Sequence, residues 1–227
     1  MLAGNCVVKA SHGSGWNFLV HGGRYDRREM LRKARKWMRR RYYGRGRMQW
    51  GYRDIAPRLF VEEMVMHSGR PVDREYKCYM AGDRCIYVYM KVDRFGDNPL
   101  DVLFDRAGNS RITECSGRYF SVHHDKPDNW DAILAAAERL GREFDSARVD
   151  LYETDGDIWF SEYTFYSEGG CDRIDWPEVF ARQGELWDLR LSWFLTTEHA
   201  GLLQLYRNRL KAQLDQHEPH ARLSELN

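Results

Sequence analysis

The sequence predicts an α+β protein whose strands pair in antiparallel hairpins and whose helices are amphipathic. Thr154-Asp155-Gly156-Asp157 lies between two alternating apolar segments, and Asp-Gly in that position is the strongest short hairpin signal. A second hairpin is predicted around Ala81-Gly82-Asp83. Apolar residues recur at helical spacing over 130–144, which predicts a helix with one buried face. Antiparallel hairpins combined with separate helices are typical of the α+β class.

The chain begins with a predicted strand, a loop of small residues and a second strand. Cys6–Ala10 and Phe18–Val20 are the strands, and Ser11-His12-Gly13-Ser14-Gly15 connects them. Glycines let backbone N–H groups approach an anion, and Lys9 adds a positive charge, so this segment fits a phosphate cradle. It is not a P-loop, because no Gly-Lys-Ser/Thr opens a helix. A plain glycine-rich hairpin turn is the alternative interpretation.

A strongly basic segment follows between His21 and Arg58. It contains fourteen Lys/Arg and three Asp/Glu, a net charge of +11, which leaves −10 for the remainder of the chain. A helix is predicted over about 26–41, with apolar residues at helical spacing. Either this helix packs on the protein by one face while its other face is exposed to water, or Arg27–Arg41 binds an anionic ligand such as a substrate or membrane headgroups. Nucleic acid is not expected as a partner.

The remaining elements follow from the same patterns. They are a turn-rich connection at 43–46, a strand at Arg58–Val61, a hairpin of Lys77–Met80 and Cys85–Val92, an irregular region over 93–129, a helix over 130–144 capped by Asp128 or Asn129, a hairpin over 147–166 and helices from Trp176 onward. The apolar residues of the helical tail offer a surface for a homo-oligomer.

Composition limits the class of protein. The 227 residues are 43% hydrophobic and 14% aromatic, which is sufficient for a folded core. No run of about eighteen apolar residues predicts a transmembrane helix, and residues 1–5 lack the features of a secretory signal. Five scattered cysteines without a C-x-x-C pair predict reduced thiols, no zinc site and a cytoplasmic location.

Two acidic residues lie in the hairpin over 147–166. On paired strands, Asp150 and Glu162 can sit side by side on one face. Two close carboxylates suit a hard cation such as Mg²⁺, which takes oxygen ligands and retains bound phosphate. Acids among strand-interior apolar residues require a partner, so a purely structural ion-paired site is the alternative.

Six blocks of sequence, taken in order, resemble a known superfamily. They are Val7-Val8-Lys9-Ala10-Ser11-His12-Gly13-Ser14-Gly15, Ala56-Pro57-Arg58-Leu59-Phe60-Val61-Glu62-Glu63-Met64, Glu75-Tyr76-Lys77-Cys78-Tyr79 with Ala81-Gly82, Asp93-Arg94-Phe95-Gly96, Arg148-Val149-Asp150-Leu151-Tyr152 and Glu162-Tyr163-Thr164-Phe165-Tyr166. The chain resembles the ATP-grasp superfamily over roughly residues 5–190, most closely its TupA-like branch, which is linked to teichuronic acid and other surface polysaccharide biosynthesis.

The resemblance implies an ATP-grasp fold, in which two antiparallel-sheet lobes with flanking helices clamp ATP. Residues 1–61 would form the small lobe with the phosphate loop and basic helix. Residues 62–175 would form the large lobe with the hinge and metal site, and 176–227 a helical C-terminal tail. Members usually carry a further segment before the strand that contains Lys9, whereas eight residues precede Lys9 here.

The resemblance also implies ATP and Mg²⁺ as cofactors and a nucleotide site with defined contacts. Lys9 would bind the inner phosphates of ATP, and Glu75 the ribose. The terminal phosphates would be covered by His12, Gly13, Ser14 and Gly15. The interlobe hinge at the adenine would consist of Glu62, Glu63, Met64 and Val65.

The same resemblance gives roles to the residues of the second hairpin. Asp150, Glu162 and Thr164 would hold Mg²⁺, with Thr164 at a position where most members have Asn. Arg148 and Lys77 are the expected catalytic residues, and Arg148 would steady the transferred phosphoryl group or an acyl phosphate.

The function implied is an ATP- and Mg²⁺-dependent ligase that joins a small-molecule carboxylate to an amine, or to a sugar or related acceptor, through an acyl phosphate. Cell-surface polysaccharide or small-molecule biosynthesis is the expected setting. Two alternatives remain open at this point. One is an ATP-dependent small-molecule or sugar kinase, and the other is a non-catalytic protein that binds nucleotides or an anionic polymer.

Overall fold

The structure is a computed structural model that describes residues 2–43, 49–72, 74–93, 99–115, 118–120, 123–170 and 175–216. Contacts divide the chain into two compact units. The first is Met1–Pro71 with Tyr166–Asp172, and the second is Val72–Phe165 with Arg173–Asn227. This division differs from the predicted limits, because residues 62–71 cluster with the first unit and the helical tail clusters with the second. Most of the predicted turn at 43–46 lies outside the described residues.

The first unit contains a three-stranded antiparallel sheet and one long helix. Its elements are β1 (Cys6–Ala10), β2 (Asn17–Val20), β3 (Leu59–Glu63), β4 (Met66–His67), β5 (Arg70–Pro71) and α1 (Arg27–Met38), and the sheet order is β2-β1-β3. Asp26 caps α1, since its side chain accepts hydrogen bonds from the backbone N–H groups of Arg28 and Glu29. The predicted strands and basic helix are confirmed, although α1 is shorter than the predicted span of 26–41.

One face of α1 docks on the sheet. Ala34 and Trp37 of the helix are buried against Ala10 of β1, and Trp16 and Phe18 pack around them. The arginines and lysines between these positions remain on the outer side of the helix. The docked-helix interpretation is therefore confirmed, and ligand binding by the outer face stays a prediction.

The second unit is built on a six-stranded antiparallel sheet of order β13-β12-β6-β7-β8-β9. Its elements are β6 (Glu75–Ala81), β7 (Arg84–Val92), β8 (Leu100–Asp105), β9 (Ser110–Arg111), β10 (Thr113–Cys115), β11 (Arg118–Phe120), α2 (Trp130–Gly141), β12 (Ser146–Thr154), β13 (Asp157–Thr164), α3 (Pro177–Leu186), α4 (Trp193–Thr196) and α5 (Gly201–Asp215). Helix α2 covers one face of this sheet, and α3 packs on part of the other.

The predicted amphipathic helix is confirmed as α2. Trp130, Ile133 and Ala137 are buried against the apolar residues of β6, β7 and β12. Asn129 occupies the predicted cap position, but its side chain makes no capping hydrogen bond. The helix ends at Gly141, where an added side chain would meet Met80 at 2.8 Å, so close packing on β6 requires a glycine there.

The prediction that residues 93–129 are irregular is wrong for the described part of that segment. Strand β8 lies inside the sheet between β7 and β9. Its residues Val102, Leu103 and Phe104 are all buried. A strand that is covered on both faces shows a continuous apolar run instead of alternation, which removes the pattern on which strand prediction depends.

The Asp-Gly hairpin is confirmed. Asp155 and Gly156 have φ values of 54° and 86°, as a two-residue turn with both central residues left-handed requires. The strands pair Asp150 with Glu162, and a register shift follows between Asp150 and Leu151. This bulge leaves Ser161 without an opposite residue, so the two carboxylates share one face.

Over residues 175–216, the described part of the C-terminal segment, the predicted helices are present as α3, α4 and α5. Trp176 and Val179 are buried against β7 and β8, whereas α5 has no buried residue. Within the described parts of the chain, no helix is both long and apolar enough to span a membrane. A homo-oligomer formed through these helices stays a prediction.

Candidate functional site

Charged side chains from three neighbouring strands meet on one face of the six-stranded sheet. Strand β6 contributes Glu75 and Lys77, β12 contributes Arg148 and Asp150, and β13 contributes Glu162. The register places Lys77 and Glu162 on either side of Asp150. The sequence prediction that Asp150 and Glu162 share one face is therefore confirmed.

Asp150 is the centre of this cluster, and its side chain has 0% exposure. Arg148 donates two hydrogen bonds to this carboxylate in a bidentate arrangement, from Nε to Oδ1 at 2.6 Å and from Nη2 to Oδ2 at 2.8 Å. Lys77 Nζ donates to Oδ2 at 2.5 Å and lies 3.1 Å from Glu75 Oε1. A buried carboxylate is tolerated only when paired and hydrogen-bonded, and here two cations meet that requirement.

Arg148 has contacts on both neighbouring strands as well. Its Nη2 donates to Thr164 Oγ1 on β13 at 2.9 Å, and its guanidinium carbon lies 5.8 Å from the ring centre of Tyr79 on β6. Burial alone would lower the pKa of Arg148. The hydrogen bonds and the negative charge of Asp150 outweigh burial and raise that pKa above its ordinary value.

Glu162 is the open carboxylate of the cluster, with 60% of its side chain exposed. Its nearest cation is Arg148, whose Nη2 is 3.7 Å from Oε1. Partial removal of water raises the pKa of Glu162, and repulsion by Asp150 raises it further, against the attraction of Lys77 and Arg148. Because more than half of the side chain contacts water, solvent screens this shift.

In the first unit, Lys9 and Glu62 form an ion pair across β1 and β3. Lys9 is opposite Phe60, and Glu62 is opposite Val7, so both charges lie on the sheet face that α1 does not cover. Glu63, the next residue of β3, lies on the opposite face of the sheet, so the two neighbouring glutamates are separated. Met64, the next predicted hinge residue, is buried.

The loop between β1 and β2 is fixed by aromatic packing. The His12 side chain is buried, and its Nε2 lies 2.9 Å from the Trp37 carbonyl at the end of α1. The His12 ring packs edge-on against Trp16, and Trp16 packs edge-on against Tyr42. His12 therefore points into the fold and Gly13 is half-buried beside Trp16, whereas Ser14 and Gly15 are exposed.

A family model described as TupA-like ATPgrasp matches residues 1–178. The chain belongs to the TupA-like ATP-grasp family. No curated protein matches the sequence. Two solved structures of the ATP-grasp ligase PsnB are similar at 12% identity, one complexed with minimal precursor and one with a phosphomimetic variant of minimal precursor, Mg and ADP. Their TM-scores are 0.38 and 0.37, and they cover 80% and 93% of this chain.

Each match covers 47% of the PsnB chain, so this TupA-like ATP-grasp chain spans about half the length of those structures. Membership of this family accounts for the mixed α+β fold with antiparallel sheets. Both units carry residues that the sequence resemblance assigns to the site. Lys9, the His12–Gly15 loop and Glu62–Val65 lie in the first unit, and the charged cluster lies in the second.

The donor atoms of this ATP-grasp chain fit Mg²⁺ in their chemistry. Asp150 and Glu162 are hard oxygen donors in direct cross-strand register. Among the described residues, however, no group of three or more His, Cys, Asp or Glu side chains is arranged to hold a metal. The Glu162 carboxylate is exposed to solvent. The Asp150 oxygens accept hydrogen bonds from Lys77 and Arg148, and the Thr164 hydroxyl accepts one from Arg148.

Sequence reasoning missed the aromatic support of the cluster. Tyr79 and Tyr87 are opposite each other on β6 and β7 and stack with ring centres 4.2 Å apart. Tyr79 follows Lys77 by two residues, so strand alternation alone places both on one face. Its relation to Arg148 depends on the pairing of β6 with β12, which a single sequence does not reveal.

We predict that Glu162→Gln raises the thermal unfolding midpoint at about pH 7. The raised pKa of Glu162 means that its charged form is less favourable in the folded state than in the unfolded state. The contribution of Glu162 to folding stability is fully present at pH values below its ordinary pKa of 4.5. It is lost as the pH rises through the pKa of Glu162 in the folded state. Thermal melts over this pH range should show the wild type and variant converging in acid. A variant that is less stable at neutral pH would contradict the prediction.

Proposed function

We propose that this chain is an ATP- and Mg²⁺-dependent ligase that activates a carboxylate as an acyl phosphate and transfers the acyl group to an amine or related acceptor. The observation that carries the proposal is the buried Arg148–Asp150–Lys77 network beside the open carboxylate of Glu162, in a chain of the TupA-like ATP-grasp family. Phosphoryl transfer needs positioned charges more than covalent catalysis by the protein, and this cluster supplies charges of both signs in fixed positions.

In the proposed reaction, a substrate carboxylate oxygen attacks the γ-phosphorus of ATP. The bond from that phosphorus to the β,γ-bridging oxygen breaks, and ADP leaves with the electron pair. The acceptor nitrogen then attacks the acyl carbon, inorganic phosphate leaves, and the nitrogen loses a proton to solvent. Arg148 would offset the charge on the transferred group, and Lys77 would hold Asp150 in place.

Asp150 and Glu162 would be the residues that hold Mg²⁺, whose bound form offsets negative charge on the phosphates. Lys9 and the backbone N–H groups of Gly13, Ser14 and Gly15 would contact phosphate oxygens. Glu62–Val65 would contact the adenine, and Glu75 the ribose. These assignments rest on the family match and on the position of each residue within its own unit.

The setting we propose is cell-surface polysaccharide or small-molecule biosynthesis, in line with the TupA-like branch. The carboxylate and the amine or sugar acceptor would be small molecules. An anionic acceptor could use the outer face of α1, where arginines and lysines from Arg27 onward are solvated.

Calorimetric titration with MgATP tests the nucleotide site. We expect the wild type to bind and Lys9→Ala to weaken binding by about tenfold or more, the size expected when one charged contact to phosphate is removed. Lys33→Ala is the matched control, because Lys33 is a half-exposed lysine of the same unit that pairs with Glu29 within α1 and lies over the Phe18 ring. Absence of binding by the wild type would overturn the proposal, and equal binding by Lys9→Ala would overturn the assignment of Lys9.

Product analysis tests the reaction type. ADP release that requires both a carboxylate and an amine, with an amide product, is the result expected for a ligase. ADP release with a hydroxyl compound alone and a stable phosphomonoester product would identify a kinase instead. Tight ATP binding without turnover for any acceptor class would favour a non-catalytic nucleotide-binding protein.

A further inference from the structure

We propose that Thr164 and Tyr79 are positioning residues that bracket the Arg148 guanidinium from the two neighbouring strands, and that Thr164 does not ligate the metal. The inference deepens the proposed function, on which its catalytic meaning rests. It gives a role to the hydroxyl that replaces the asparagine usual at this position, and to an aromatic pair that the family resemblance leaves without a role.

The Thr164 contact follows from strand register. Thr164 on β13 is directly opposite Arg148 on β12, and its Oγ1 accepts a hydrogen bond from Arg148 Nη2 at 2.9 Å. The same Nη2 donates to Asp150 Oδ2 at 2.8 Å. Both hydrogens of Nη2 are therefore engaged by oxygens in different directions. Rotation of the guanidinium about its Nε–Cζ bond would break both contacts.

The Tyr79 contact closes the other side. Tyr79 on β6 is directly opposite Arg148, and the guanidinium carbon lies 5.8 Å from its ring centre, within the range of a cation–π interaction. Tyr79 is itself held, since it stacks on Tyr87 with an interplanar angle of 16°. Tyr87 is buried in the cluster that includes Leu103 and Trp176. A rigid ring therefore limits movement of Arg148 toward β6.

The bracket matters because Asp150 alone would leave Arg148 mobile. The two residues are two positions apart on one strand. The hydrogen-bonded pair of guanidinium and carboxylate can therefore move as a unit when their side-chain torsions change. Contacts from β13 and β6 convert that fork into a guanidinium fixed at three points. A fixed guanidinium stabilises a charge that develops during phosphoryl transfer without reorganising at that moment. A mobile one would bind the ground state nearly as well and stabilise the transferring group less.

The test compares Thr164→Val with Thr164→Ser and uses Thr154→Val as the matched control. Valine keeps the shape of threonine and removes the acceptor, and serine restores it. Thr154 lies at the turn end of the same hairpin, where its hydroxyl contacts Asp155. The first readout is the affinity for ADP with aluminium fluoride, a mimic of the transferring phosphoryl group, relative to ADP alone. The second is Mn²⁺ affinity measured by electron paramagnetic resonance.

We expect Thr164→Val to weaken ADP–aluminium fluoride binding by about tenfold, as for one lost hydrogen bond to a charged group, with ADP and Mn²⁺ affinities unchanged. Thr164→Ser and Thr154→Val should retain the wild-type preference. Loss of Mn²⁺ affinity in Thr164→Val, with or without a change in the mimic, would overturn the proposal and identify Thr164 as a metal ligand. An unchanged preference for the mimic would also overturn it.

A nucleotide-independent readout separates this proposal from the proposed function. The side-chain NH₂ signals of Arg148, identified by their loss in Arg148→Lys, should show hindered rotation in the wild type and in Thr164→Ser. Faster rotation is expected in Thr164→Val and in Tyr79→Leu. Tyr79→Phe keeps the stacked ring but removes the hydroxyl that interacts with Arg148, so its rotation should be faster than in the wild type and slower than in Tyr79→Leu. If the wild type binds no nucleotide, the ligase assignment fails and these signals still decide whether the bracket exists. Rotation that is equally slow in all variants would disprove it.

Discussion

Asp150→Asn is expected to lower the free energy of unfolding by about 3–5 kcal/mol, the cost typical of removing one partner from a buried ion pair. Arg148 and Lys77 both direct their charges at this carboxylate, and their side chains are 13% and 11% exposed. Asparagine keeps the shape of the side chain and removes its negative charge. The two cations would then face each other, with Glu75 at 3.1 Å from Lys77 and Glu162 at 3.7 Å from Arg148 as the remaining carboxylates.

Urea unfolding monitored by tryptophan fluorescence measures this effect. Glu162→Gln is the control, because it removes a largely exposed carboxylate from the same sheet face, and we expect it to raise stability slightly at neutral pH. A loss below about 1 kcal/mol for Asp150→Asn would mean that water reaches the two cations and screens their charges. The buried network would then contribute little to the fold.

The hairpin that carries the site could be predicted from sequence, but the contacts of its side chains could not. Asp155-Gly156 fixes a two-residue turn, but regular pairing counted back from that turn would place Asp150 opposite Ser161. The bulge between Asp150 and Leu151 brings Asp150 opposite Glu162 instead, and the sequence does not reveal that bulge. The contacts of Arg148 depend on which strand lies on the other side of β12. That strand is β6, about seventy residues earlier, and no local pattern encodes a pairing over such a distance.

The same limit explains the fate of other predictions. The strand over 100–105 was missed because burial on both faces removes alternation. Strands β6 and β7 are also largely buried, but the turn at Ala81-Gly82-Asp83 between them made that hairpin predictable. His12 lies in a loop with the composition of a phosphate cradle, so its side chain was expected to face a ligand. The structure turns it toward Trp37 because α1 ends beside the loop, and the position of that helix end depends on tertiary packing.

Gly13→Ala is expected to destabilise the first unit by about 1–3 kcal/mol, as overpacking usually does, and to weaken MgATP binding. A methyl group at Gly13 would lie 2.8 Å from the Trp16 ring and 2.9 Å from the Tyr42 ring. Both rings belong to a series of edge-on contacts that runs from His12 through Trp16 and Tyr42 to Tyr52. The rings cannot withdraw independently, so the loop backbone must move away from them.

The Gly13→Ala variant distinguishes two roles of the loop, which are to close the β1–β2 hairpin and to bind phosphate. If backbone N–H groups of the loop bind phosphate, moving them reduces MgATP affinity by more than the small loss of stability explains. Gly184→Ala is the matched control, since Gly184 lies in α3 with nothing within 4 Å of the added carbon, and alanine in a helix interior is favoured over glycine by roughly 0.5–1 kcal/mol. Calorimetry on both variants decides the point. A Gly13→Ala protein that is destabilised yet binds MgATP like the wild type would show that the loop closes the hairpin and takes no part in the nucleotide site.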